Sequence, residues 1–72
     1  MPLSILKEGD KARVVRVTGD DTVRKHLGSL GFVAGVIVRI VSVSHGNMIL
    51  AVHESRIAVN DDITRHVMVE NI

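Results

Sequence analysis

The first apolar pattern of the chain predicts a β-strand. After a Gly9-Asp10 turn signal, residues 11–17 alternate between two faces of an extended segment. One face carries Ala12, Val14 and Arg16, and the other carries Arg13, Val15 and Val17. A period of two is the repeat of a strand, in which successive side chains point to opposite sides of a sheet. We therefore expect a strand over about residues 11–17.

The pattern then changes to the period of a helix. One helical stripe is formed by the apolar residues Val23, Leu27 and Leu30. Asp20 or Asp21 is suited to cap the N-terminal end, where a negative charge also complements the helix dipole. Gly31 is placed to end the helix in a left-handed conformation. Because Gly28 costs about 1 kcal/mol relative to Ala within a helix, we expect a short helix over about residues 20–30 that is held by its packing.

The segment after this helix distinguishes a DNA-binding helix-turn-helix from a β-fold. Residues 24–35, RKHLGSLGFVAG, are compatible with both. Residues 36–43, VIVRIVSV, contain six Val or Ile among eight residues, and β-branched residues favour strands. A recognition helix needs a polar outward face for the edges of bases, and only Arg39 and Ser42 could provide one here. The segment therefore predicts a strand.

The remaining chain predicts three more strands and one helical turn. Gly46-Asn47 indicates a hairpin turn, and MILAV at residues 48–52 indicates a strand. The turn HES and the strand RIAV follow, and then a helical turn over about 60–64 that Asn60 caps. HVMVE, at residues 66–70, indicates the last strand. We predict one mainly β domain over residues 1–72, a small partly open barrel of about five strands with one inserted helix.

Composition narrows the function classes. The formal net charge is +1, and the nine Lys and Arg residues form no run longer than two, which argues against an electrostatic nucleic-acid binder. Phe32 is the one aromatic residue, so bases of a single strand have no stacking platform. No apolar run approaches the roughly 20 residues of a membrane helix, and MPLSILKEGD lacks the basic region and long apolar stretch typical of a signal peptide, so we expect none. We expect a cytoplasmic protein without direct membrane insertion.

The polar residues form no pattern typical of a catalytic or metal site. The four histidines, His26, His45, His53 and His66, lack the spacing of a metal motif. The acidic pairs Asp20-Asp21 and Asp61-Asp62 stand at predicted helix starts, where capping explains them. No Ser or Thr lies in a nucleophile elbow, and no glycine pattern forms a phosphate loop. We expect no catalytic residues, no cofactor and no dedicated metal site.

A candidate partner-binding surface lies at the end of the predicted helix. Apolar residues bracket Gly31 in a bend, namely Leu30, Phe32 and Val33. Loops are normally polar, and an exposed apolar patch often marks a partner site. Arg24 and Lys25 fall off the apolar stripe and should face water, and an aromatic beside basic residues is typical of a binding hot spot. The predicted partner-binding residues are Arg24, Lys25, Phe32 and Val33.

These features together resemble the ferrous iron transport protein A (FeoA) family over nearly the whole chain. The matching segments are LKEGDKARVVRV, RKHLGSLGFVAGVIVRIV, the Gly46 hairpin, RIAV and VMVE. The most characteristic part is the core of Leu30, Gly31 and Gly35, with Arg24 and Leu27 upstream. The chain departs from the family pattern at Gly28, at Ala34 where Pro is common, and at Thr64 where a smaller residue is usual.

The resemblance implies an SH3-like β-barrel with an inserted helix. It also implies a non-catalytic cytoplasmic accessory, located at the inner membrane through its partner, the Fe(II) transporter FeoB. This partner is a membrane protein with a GTP-binding domain. The sequence carries no signal for an oligomeric state.

Three other interpretations remain open at this point. A similar barrel ends iron-dependent repressors of the DtxR type, so a regulator-related module is one alternative. A small nucleic-acid-binding regulator is another, with phosphate contacts from Arg13, Arg16, Arg24, Lys25 and Arg39. A metal sensor or carrier that uses the histidines is the third. The leading interpretation is the accessory of Fe(II) uptake.

Overall fold

Five antiparallel strands form one open sheet in the computed structural model, which describes residues 1–72. The helices and strands are β1 Lys11–Val17, α1 Asp21–Ser29, β2 Ile37–Ser44, β3 Asn47–Val52, β4 Ser55–Asn60, α2 Asp61–Thr64 and β5 Val67–Asn71. Their order in the sheet is β4-β3-β2-β1-β5, so the last strand returns to pair with the first. The predicted mainly β fold with one inserted helix and a short helical turn is confirmed.

Side chains at both helix starts cap the backbone as the sequence predicts. The Asp20 carboxylate accepts a hydrogen bond from the Val23 amide at 2.9 Å, and the Asn60 side-chain oxygen accepts one from the Ile63 amide at 3.2 Å. Each bond satisfies an amide that the first helical turn leaves without a partner. These local bonds fix where α1 and α2 begin.

The core lies between the inner face of the sheet and α1. It contains fourteen buried apolar residues, which are Leu3, Leu6, Ala12, Val14, Leu27, Phe32, Val38, Ile40, Met48, Leu50, Val52, Val59, Val67 and Val69. Leu27 is buried, and Val23 and Leu30 pack against the core as partly buried side chains. The predicted apolar stripe of α1 is therefore the face by which the helix attaches to the sheet.

A bulge corrects the predicted alternation of β1. Val14 pairs with Val69 and Arg16 pairs with Met68, so Val15 has no partner in β5. A bulge inserts one extra residue into one strand of a pair. The side chains after Val15 therefore lie on the opposite faces from those that strict alternation predicts. Consequently Val17, predicted to lie on the face of Arg13, is half-buried, and Arg16 is exposed.

The β2–β3 hairpin turns one residue earlier than predicted. Its loop is His45-Gly46, whose φ angles are 50° and 79°, and Asn47 already belongs to β3. Two successive positive φ angles match the type I′ turn that suits two-residue hairpins. The turn thus uses Gly46 as predicted, but with His45 rather than Asn47 as the other loop residue.

An N-terminal segment, which the sequence analysis did not predict, covers the outer edge of β5. Residues Leu3–Ile5 form a 3₁₀ turn, and Leu3 is buried. The Val69 amide donates to the Met1 carbonyl at 2.7 Å, and Pro2 forms an isolated bridge with Met68. An exposed sheet edge presents unpaired backbone groups, so this segment satisfies part of the β5 edge.

Candidate protein-binding surface

Helix α1 presents its basic residues to solvent. Arg24 and Lys25 are exposed, whereas Leu27 is buried. Arg24 forms an ion pair with Asp21 one turn earlier. Lys25 has no ion-pair partner, so it is the free positive charge on this part of the helix surface.

In the bend after α1, one apolar residue of the candidate surface is buried and the next is exposed. Gly31 has a φ of +102°, the left-handed conformation predicted for it. The Phe32 amide then donates to the Leu27 carbonyl at 3.1 Å, and the Phe32 side chain is 1% exposed. Val33, the next residue, is 51% exposed. Phe32 is therefore a core residue, and the prediction that it lies on the partner-binding surface is wrong for the folded chain.

The chain direction at the bend explains this result. A left-handed residue turns the backbone sharply, and the hydrogen bond from the Phe32 amide to the Leu27 carbonyl ties the bend to the end of α1. Burying the largest apolar side chain of the segment is worth about 1.5–3 kcal/mol. The exposed part of the predicted surface consists of Arg24, Lys25 and Val33.

The four histidines belong to four different parts of the fold. His26 is exposed on α1, and His45 and His53 occupy two hairpin turns with positive φ angles. The Nδ1 atom of His66 lies 3.2 Å from the Thr18 hydroxyl, and this pair joins the residue after β1 to the residue before β5. No three His, Cys, Asp or Glu side chains form a group that could hold a metal ion.

Sequence reasoning missed a row of basic residues on the outer face of the sheet. Lys11 lies opposite Arg39, Arg39 opposite Ala51, and Ala51 opposite Arg56. The alternation within each strand places these residues outward, but their alignment depends on the pairing register, which connects segments far apart in sequence. No local signal could have revealed it.

The fold is that of a small SH3-like domain. The model of the FeoA domain matches residues 1–71, and the chain belongs to the FeoA family. This is a family of small accessory proteins associated with ferrous iron transport, and it is not a known enzyme class. The resemblance inferred from the sequence is thereby confirmed.

Solved structures agree with this assignment. An iron uptake regulatory protein (FeoA) is 32% identical, with a TM-score of 0.92 over 100% of this chain and 96% of the other. The FeoA of Stenotrophomonas maltophilia, described as a procaryotic SH3 domain protein and solved with zinc, is 29% identical, with a TM-score of 0.84 over 97% and 89% of the two chains. No curated protein sequence matches the chain.

A repressor shares the fold. A manganese-dependent transcriptional repressor is 16% identical, with a TM-score of 0.91 over 99% of this chain and 40% of the repressor. At this identity the likeness concerns the fold alone. A recognition helix was considered over residues 36–43, but residues Ile37–Ser44 form strand β2, so the predicted strand is confirmed. No helix of the chain is both long and apolar enough to cross a bilayer.

Proposed function

We propose that this chain is a non-catalytic accessory of Fe(II) uptake that binds an FeoB-like membrane GTPase transporter. The observation that carries the proposal is the family match over residues 1–71, together with the near-complete overlap with an FeoA structure. In this role the protein works in the cytoplasm and reaches the inner membrane through its partner.

A binding role fits the structural use of three polar side chains. Asp20 and Asn60 serve as helix caps, and His66 pairs with Thr18. These groups are engaged in holding the fold together. General acid–base chemistry needs such groups free and within reach of a substrate, which supports a protein that acts by contact.

The proposed docking surface is the outer side of α1 and the bend, formed by Arg24, Lys25 and Val33. Val33 supplies an exposed apolar contact in a segment that is usually polar. Lys25, on α1, supplies a positive charge without an ion-pair partner. Phe32 supports this surface from the core by fixing the bend, without contacting the partner. A patch of this size suits a weak and reversible complex.

The test combines Val33→Asp with Lys25→Glu and measures co-purification with the transporter and Fe(II) uptake in a deletion strain. A matched control combines Val43→Asp with Lys7→Glu, since Val43 is 45% exposed and Lys7 is an exposed cation in another part of the chain. Both proteins must retain the thermal transition of the parent. The proposal predicts that the first variant loses co-purification and uptake while the control keeps both. Full activity of the first variant would place the docking surface elsewhere.

A further inference from the structure

Three exposed basic residues lie in one row across four strands. Cross-strand partners have their side chains on the same face of a sheet, so the pairings Lys11–Arg39, Arg39–Ala51 and Ala51–Arg56 align them. Lys11 and Arg39 are direct neighbours, and Arg56 lies two strands from Arg39, roughly 10 Å away. The row therefore runs from β1 to β4 on the outer face.

None of these three cations has an ion-pair partner. The salt bridges of the chain use Arg13, Arg24 and Arg65. Of the nine Lys and Arg residues, six are left without a carboxylate partner, and half of these six lie in the row. Like charges placed directly opposite each other destabilise a sheet. The stability of the fold consequently gives no reason for this arrangement.

An open groove with a partly apolar lining lies at one end of the row, at Lys11 and Arg39, and Arg56 does not line it. Its volume is about 570 Å³, and its lining includes Lys11, Arg39 and His53 as polar residues. Val36, Ile37 and Ala51 provide the apolar part of the lining. A Cβ atom built on Gly35, which also lines the groove, would meet no atom within 4 Å. The groove is accessible, and it combines positive charge with apolar surface.

We infer that this basic groove binds an extended acidic peptide segment of a partner protein. Carboxylates of the segment pair with Lys11 and Arg39, and the planar guanidinium of Arg39 suits a bidentate contact. Aliphatic side chains between the carboxylates contact Ile37 and Ala51 of the lining. A nucleic acid fits less well, because no Phe, Tyr or Trp lines the groove for base stacking. This site goes beyond the proposed docking surface, since it shares no residue with it.

The test is fluorescence anisotropy with a labelled peptide of alternating Glu and Val. About eight residues suffice, because an extended chain covers about 3.3 Å per residue. The same peptide with Gln in place of Glu is the charge-free probe. Arg39→Gln and Lys11→Gln are expected to weaken binding of the acidic peptide at least about tenfold, the size of a lost charged hydrogen bond. Lys7→Gln, which removes an exposed cation outside the row, is the matched control and should change affinity less than about twofold.

Three results would overturn the inference. The first is equal affinity for the Glu and Gln peptides, which would show that the charge of the peptide does not contribute to binding. The second is an equal loss of affinity in Lys7→Gln, which would show that the net charge of the protein, and not the position of the cation, determines binding. The third is tighter binding of a duplex DNA fragment, which would assign the row to nucleic acid. The measurement uses only this chain and the peptides, so its failure leaves the proposed binding to the transporter unaffected.

Discussion

Lys11 and Arg39 lie directly opposite each other in the β1–β2 pair, and neither has a carboxylate partner. Arg39→Glu converts this like-charge pair into an opposite-charge pair. Cross-strand pairs are worth about 0.2–1 kcal/mol, so the variant should raise the free energy of unfolding by a few tenths to about 1 kcal/mol. Urea unfolding at low salt measures this gain, which should shrink as added salt screens the two exposed charges. A loss of stability at low salt would contradict the pairing.

Phe32 and Val33 should respond very differently to truncation. Phe32→Ala removes a fully buried ring and should cost about 3–5 kcal/mol, a large part of the stability of a domain this small. Val33→Ala alters an exposed side chain and should stay within about 0.5 kcal/mol of the parent. Chemical unfolding of both variants checks this contrast. Equal and small effects would show that Phe32 does not hold the bend.

Two glycines at the end of α1 should respond to alanine with opposite signs. A Cβ at Gly28 meets no atom within 4 Å, and its backbone is helical. Gly28→Ala should therefore stabilise the protein by about 0.5–1 kcal/mol. Gly31→Ala places a side chain at φ +102° and should destabilise it. Thermal unfolding of the pair gives the signs directly, and a stabilising Gly31→Ala would contradict the left-handed helix end.

Thr64 is the one buried polar residue, and its hydroxyl oxygen has no hydrogen-bond partner. A buried polar group without a partner costs about 1–3 kcal/mol. Thr64→Val keeps the shape and removes the hydroxyl, so we expect a rise of about 1 kcal/mol in the free energy of unfolding. Thr64→Ser, which keeps the hydroxyl and removes a methyl group, is the control and should lower stability. Destabilisation by valine would mean that the hydroxyl is satisfied in solution.

Local features of the fold were predictable because their causes lie within a few residues. Asp20 and Asn60 cap helices with their own side chains, and Gly31 ends α1 by its own backbone conformation. The density of Val and Ile after Gly35 likewise identified β2. The bulge at Val15 was not predictable, because it appears only when β1 pairs with β5 at the far end of the chain.

The candidate surface was predictable only in part. The sequence placed Arg24 and Lys25 outside the apolar stripe of α1, and both are exposed. It could not tell which of the neighbours Phe32 and Val33 enters the core, since a bend has no fixed period. The basic row was not predictable for the same reason as the bulge, because Lys11 and Arg39 become neighbours only when β1 and β2 pair in the sheet.

The most direct test of the account maps the contact surface on the folded chain. Isotope-labelled protein is titrated with the detergent-solubilised FeoB-like transporter, and the loss of each amide signal is followed by NMR. The account predicts that losses concentrate at Arg24, Lys25 and Val33, and that Lys25→Glu with Val33→Asp abolishes them. Losses centred on β4 and α2, or no losses at all with an active transporter, would contradict it.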